Sequence, residues 1–163
     1  MPRPLFLLNV KAMLLASGTR PRVVAVDYGT RRVGLALADP LRVIAQPYGT
    51  YAPEEALQVL QRLHAAEGIE TVVIGWPLTE AGTEGEATRR VERFIRRLRR
   101  LLPGAQVVRW DERYTSELAK ERLREVGGPR KKRRDRGRID QMAAVIILQE
   151  YLEQQEPKAG LPE

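Results

Sequence analysis

The chain has no cysteine and a single histidine, His64. The first absence removes disulfides and cysteine-bound zinc, and the second removes any histidine-cluster metal site. Any metal bound here must therefore be held by oxygen. A long apolar run is also missing. Leu5–Ala16 is interrupted by Asn9 and Lys11 and falls short of the roughly 20 residues that span a bilayer. Arg3, Leu5–Leu8 and Ala16-Ser17-Gly18 imitate a secretory leader only loosely. No GxxxxGK[ST] phosphate loop exists, which removes the P-loop nucleotide enzymes, and there is no internal repeat.

What is present is 163 residues with 43% apolar content, enough for one domain with its own core. The formal net charge is +7, which suits a polyanionic partner, and nucleic acid is the commonest inside cells. Residues 1–20 read as an N-terminal arm or short helix, or as an over-long start with Met13 the first residue. Residues 21–154 form the domain, and 155–163 a polar tail.

The organising stretch is Val23–Ala38. Val23–Val26 is the short apolar run of a strand covered on both faces; it runs into Asp27, turns at Tyr28-Gly29-Thr30-Arg31 and returns over Val33–Ala38. Asp39-Pro40 turns the chain again, and Val43–Tyr51 completes a three-strand meander. Pro53-Glu54-Glu55 opens a helix with Leu57, Leu60 and Leu63 on one face and Gly68 at its end. A buried strand at Thr71–Ile74 and a Gly-rich loop, Ala81–Gly85, lead into a helix from about Glu86 to Leu102. Arg89, Arg93, Arg96, Arg97 and Arg100 crowd its polar side and read as a solvated face. After Pro103-Gly104 comes a fifth strand, Gln106–Trp110, and then Asp111-Glu112-Arg113. Thr115-Ser116 can cap a helix carrying Leu118, Leu123 and Val126. A basic run over 130–138 cannot be packed inside and is expected to be mobile when unbound. The last helix is expected over Ile139–Gln154, with Ala143, Ile146, Ile147 and Tyr151 apolar and Asp140 in its first turn.

This order predicts a mixed α/β sheet of five strands, a meander followed by alternating α and β, with helices on both faces. Asp27 ends the first strand, Asp111 and Glu112 end the fifth, and Asp140 begins the last helix. Three segments could thus bring acids to one edge. Carboxylates without histidine or cysteine suit Mg²⁺ or Mn²⁺ rather than zinc. Each acid also has a plain structural use: Asp27 in a turn, Asp111 as a cap, Glu112 pairing with Arg109 or Arg113, Asp140 against a helix dipole. Side chains alternate along a strand, yet Val107 and Trp110 differ in parity, so alternation does not say which of Asp111 and Glu112 faces Asp27. The longer arm of Glu112 favours it, with Asp111 suited to orienting Arg113 or capping the helix near Thr115.

Four blocks, VDYGTRRVGLALADP (Val26–Pro40), GWPLTEAGTEG (Gly75–Gly85), WDERYTS (Trp110–Ser116) and IDQMAAVIILQEYL (Ile139–Leu152), resemble the YqgF family. The resemblance covers about Arg22 to Leu152 and departs only at the first twenty residues. It implies an RNase H-like fold related to the RuvC Holliday-junction resolvases, and a cytoplasmic bacterial nuclease of pre-16S rRNA 5′ ends or of branched DNA. Carried over, the family's acids fall on Asp27, the Asp111-Glu112 pair and Asp140. On that reading Asp27, Glu112 and Asp140 hold two Mg²⁺ or Mn²⁺ ions, with catalysis by these residues and Asp111. Arg32, Arg113, Arg130, Lys131, Lys132, Arg133, Arg134, Arg136 and Arg138 are the expected phosphate contacts. The expected partners are nucleic acid and the ribosome, not a membrane, with the protein a monomer or homodimer. Two other readings exist: VDYGT is similar to the first phosphate motif of the actin and sugar-kinase superfamily, which needs two such domains, and a basic chain can bind nucleic acid or ribosomes without cleaving.

Overall fold

The structure is a computed structural model that describes residues 20–114, 121 and 136–155; for Tyr114 and residues 136–140 it describes the backbone alone. The elements are β1 (Arg22–Tyr28), β2 (Val33–Ala38), β3 (Ala45–Tyr51), α1 (Pro53–Ala66), β4 (Ile69–Trp76), α2 (Glu86–Leu101), β5 (Gln106–Asp111), a 3-10 turn (Glu112–Tyr114) and α3 (Arg136–Gln155). The sheet order is β3-β2-β1-β4-β5. β1–β2 and β2–β3 are antiparallel, whereas β1–β4 and β4–β5 are parallel. The expected meander and mixed sheet are therefore both present.

Parallel pairing of β1, β4 and β5 puts their C-terminal ends at one edge of the sheet. Strand alternation then sorts side chains to the two faces. Val24, Val26, Val72 and Ile74 pack against α1 and α2 through Leu57, Leu60, Ile95 and Leu98. Val23, Ala25, Val73 and Trp110 pack against α3 through Ala144, Ile147, Leu148 and Leu152. Val24, Ala25 and Val26 have no exposed surface at all, as a central strand with helices on both faces requires. Each buried Val, Leu or Ile side chain contributes about 1.5–3 kcal/mol of transfer free energy.

Local chemistry sets the boundaries. Pro53 occupies the first turn of α1, with Glu54 and Glu55 at its positive end. Gly68, at φ 79°, turns the chain into β4 in the left-handed region that glycine tolerates. His64 is structural: its Nδ1 accepts from the Ile69 backbone N–H at 2.9 Å, so its Nε2–H donates to the Pro103 carbonyl at 3.1 Å. The histidine thereby ties the end of α1 to the starts of β4 and β5.

Several boundaries differ from expectation, as does one buried stripe. β3 starts at Ala45 rather than Val43, because the Val43 and Ile44 N–H groups donate to Asp39 Oδ1 at 2.7 and 2.8 Å and so cannot join a ladder. β5 continues through Asp111, which keeps pairing in register opposite Trp76. α3 is already helical at Arg136, where the described residues resume, so residues 136–138 of the basic run are helical and Asp140 does not lie in the first turn. Arg136 and Arg138 favour a helix while Gly137 between them disfavours one by about 1 kcal/mol, so local propensity does not specify the added turn. The buried stripe of α3 is Ala144, Ile147, Leu148 and Leu152, with Ala143 and Ile146 only half-buried; the helix is apolar nearly all round at Ala143–Leu148, so periodicity could not fix its phase. The N-terminal arm, the helix expected after Thr115 apart from Glu121, residues 130–135 and the tail from 156 lie outside the described residues.

Candidate functional site

At the shared C-terminal edge of β1, β4 and β5 lies a cleft of about 330 Å³, lined by Asp27, Thr30, Gly75, Glu112, Ala87 and Arg90 among others. Alternation explains why these acids meet. Val23 and Ala25 face α3, so Asp27 shares their side. Val73 faces α3, and so does Gly75 two residues on. Trp110 faces α3, which gives Glu112, two residues further, the same side as Asp27. Asp111, paired opposite Trp76, belongs to the other face.

Gly75 is what lets the first and fifth strands cooperate across the fourth. It pairs with Trp110 on β5 and follows Ile74, which pairs with Val26, the residue before Asp27 on β1. A Cβ built on Gly75 would fall against Glu112 Oε1 and 3.1 Å from Ile147 Cδ1, so any larger residue there would have to displace the Glu112 carboxylate. The Glu112 carboxylate therefore lies over the bare backbone of β4. Burial there pushes its pKa above the ordinary carboxylate range, and the neighbouring charge of Asp111 pushes it the same way.

Asp111 has a different task. Its carboxylate accepts from the Arg113 side chain at 2.7 Å (Nη2) and from the Arg113 backbone N–H at 3.0 Å. The Arg113 guanidinium holds the Asp111 carboxyl below the usual range, with the backbone hydrogen bond assisting. Arg113 in turn lies against Gly82, where an added Cβ would meet Nη1 at 2.7 Å. That glycine, at φ 78°, sits at the tip of a loop closed by Thr79 and Thr83, whose hydroxyls are 2.6 Å apart. Asp111 and Arg113 thus brace the loop before α2. Arg109 is engaged as well, paired with Glu92 and stacked 4.3 Å from the Trp76 ring.

Of the expected acids, then, Asp27 and Glu112 share the cleft and Asp111 does not line it. Asp140 lies in α3, seven residues before Ile147 and so on the same helical stripe; its side chain lies outside the described atoms. Arg32 is exposed in the β1–β2 turn, which Gly29 makes possible, since a Cβ there would meet the Arg32 carbonyl oxygen at 2.5 Å. The basic run over 130–135 lies outside the described residues. Two cleft residues escaped the sequence reading. Gly75, a glycine at a buried strand end, carries the signal of a close approach. Arg90 is one arginine in a crowded helix, and only its spacing from Ala87 and Val91, three before and one after, marks it as facing the strand ends.

A mixed sheet in this order, with helices on both faces and carboxylates at the ends of β1 and β5, is an RNase H-like domain. The chain belongs to the RuvX family, described as Holliday junction resolvase, whose model matches residues 21–154; the resemblance to the YqgF family is thereby borne out. A Salinibacter ruber protein named "Putative pre-16S rRNA nuclease" is 58% identical over 131 residues, covering 80% of this chain and 92% of its own. A Chlorobaculum tepidum protein of the same name is 42% identical over 139 residues, covering 85% and 98%. Among solved structures, T. thermophilus RuvC in complex with a Holliday junction substrate matches with a TM-score of 0.52 at 12% identity, over 83% of this chain and 97% of that one, a likeness of fold. No helix among the described residues is long and apolar enough to cross a membrane.

Proposed function

We propose that this protein is a metal-dependent nuclease that hydrolyses phosphodiester bonds in structured RNA, acting on the 5′ end of pre-16S rRNA in the bacterial cytoplasm. The observation that carries the reading is the meeting of Asp27 and Glu112 in one cleft across the bare backbone of Gly75. The names of the relatives support rRNA as substrate, and a net charge of +7 supports a polyanionic one.

The residues fit a divalent ion of the hard, oxygen-preferring kind. The cleft offers carboxylates and no softer donor, since the single histidine is engaged with Ile69 and Pro103 and there is no cysteine. Burial opposes the charge on Glu112, and a cation beside it would offset that cost. Among the described residues no group of three or more histidine or acidic side chains is placed to hold a metal ion. Asp27 and Glu112 would hold Mg²⁺ or Mn²⁺, with Asp140 as the third ligand from α3. When bound, two such ions supply Lewis acidity at the phosphate and lower the pKa of water. Asp111 keeps Arg113 and the 79–83 loop in place beside them, and the basic run holds flanking phosphates, in contact with the ribosome when the precursor is still assembled.

The test is cleavage of a 5′-extended 16S rRNA precursor and, in parallel, of a four-way DNA junction, with Mg²⁺, with Mn²⁺ and with EDTA. Metal-dependent trimming of the RNA that Asp27→Asn abolishes is the expected result. The family's printed description favours a second reading, a resolvase; a two-fold junction calls for a symmetric dimer. Cleavage of the junction alone by a dimeric protein would favour that reading, and no cleavage of either would leave a binding protein.

A further inference from the structure

We infer that Arg90 is a substrate-contacting residue that grips the phosphate presented to Asp27 and Glu112. The inference rests on the nuclease reading for the identity of the ligand, and on the geometry of the cleft for the contact itself.

The arginines around the site fall into two groups. Arg89 pairs with Glu86, Arg97 with Glu54, Arg109 with Glu92 and Arg113 with Asp111. These guanidiniums are held by acids and serve the structure. Arg90 is exposed, lines the cleft, and makes no hydrogen bond or ion pair with any described residue. Its stem runs along the same wall as Ala87 and Val91, which also line the cleft. The wall packs through the Val91 side chain, 2% exposed, into the core, so Arg90 extends from a rigid helix rather than from a loop.

The chemistry gives such a cation a role. A phosphodiester carries one negative charge, and a cleft holding two carboxylates repels it. A guanidinium at the rim offsets that repulsion and offers a planar fork that matches two phosphate oxygens. Lysine in the same place supplies charge without the fork. Among the described residues Arg90 is also the one cationic side chain of the cleft lining, which separates it from the distributed positive charge elsewhere on α2.

The experiment is binding of a fluorescently labelled stem–loop RNA, by anisotropy in EDTA across a range of salt, for wild type, Arg90→Gln, Arg90→Lys and Arg100→Gln. Arg100 is exposed on the same helix, ten residues on and roughly 15 Å along the axis, and carries the same charge. Arg90→Gln is expected to bind about tenfold more weakly, the scale of one charge-assisted pair. The slope of log K against log salt should shrink by about 0.7–0.9, one phosphate contact. Arg90→Lys should keep the slope but cleave more slowly than wild type at saturating RNA, and Arg100→Gln should bind as wild type. A wild-type slope in Arg90→Gln, or equal losses in Arg90→Gln and Arg100→Gln, would overturn the inference. Because binding is read without metal, it is judged apart from the nuclease reading: a wild type that binds through Arg90 and cleaves nothing defeats only that reading.

Discussion

The two ends of the sheet use their polar residues in opposite ways. At the end where β1 and β4 begin, nearly every polar group is tied to backbone. Asp39 accepts from Val43 and Ile44, and the Ile44 hydrogen bond chiefly holds its carboxyl below the usual range. Arg22 donates to the Ala38 carbonyl, Arg42 to the Pro21 carbonyl, and Gln149 bridges Ala45 and Val43. His64 has both ring nitrogens occupied. Only Nε of Arg22 and of Arg42 is buried without a partner among the described residues. At the other end a half-buried carboxylate, Glu112, lies over a glycine with its charge opposed by burial, and Arg90 stands exposed beside it. One end is arranged for stability, and the other keeps charge and space that folding alone does not need.

The largest effect that sharpens this contrast is loss of cleavage. Asp27→Asn and Glu112→Gln should each reduce the rate beyond the roughly 100-fold typical of supporting residues around a metal, without lowering the melting temperature. Glu112→Gln should raise it in EDTA at neutral pH. The sign follows from the raised pKa: the Glu112 contribution is fully present below its ordinary value of 4.5 and is lost as pH rises through the folded value. The gain from Glu112→Gln should therefore fade as pH is lowered toward 4.5. A variant that melts lower at neutral pH would place Glu112 among the structural residues.

Gly75→Ala comes next. The new methyl must displace Glu112 Oε1, so cleavage should fall about 10- to 100-fold while the sheet survives. An active Gly75→Ala protein would mean that the carboxylate does not need its place over β4.

At the opposite end, His64→Ala should do the reverse. It strands the Ile69 N–H and the Pro103 carbonyl, at a cost of about 1–3 kcal/mol in stability measured by urea unfolding, with kcat unchanged where the protein is folded. A kcat that falls with stability intact would join the histidine to the site.

The smallest effect belongs to Asp111→Asn. Its carboxyl, held low by Arg113, contributes stability above its ordinary value of 3.8 that is lost as pH falls through the folded value. The variant should melt slightly lower at neutral pH, approach wild type as pH falls through the folded value, and keep the response to metal. Loss of the metal response in Asp111→Asn but not in Glu112→Gln would exchange the two roles.

Much of this was legible in the sequence because local rules and tertiary packing agree. The apolar run Val23–Val26, the proline and acids that open α1, and the turn at Gly29 each specify their element without help. Asp27 could be read as a site residue because a carboxylate at the end of a buried strand has little to gain from packing. Other features depended on partners far away in the chain. The face of Glu112 is settled by Trp110 packing on α3, and the start of β3 by Asp39 taking two N–H groups. Arg90 looked like its arginine neighbours, because what distinguishes it is the absence of a described partner and the cleft it lines.

The central claim is that Asp27 and Glu112 act as one site. Its most direct measurement is the Mn²⁺-induced rise in melting temperature of wild type, Asp27→Asn, Glu112→Gln and the double variant. The expected result is a rise in wild type that each single substitution abolishes, with the double variant no different from either single. Wild-type-sized rises in both single variants, or two partial losses that simply add in the double, would contradict it.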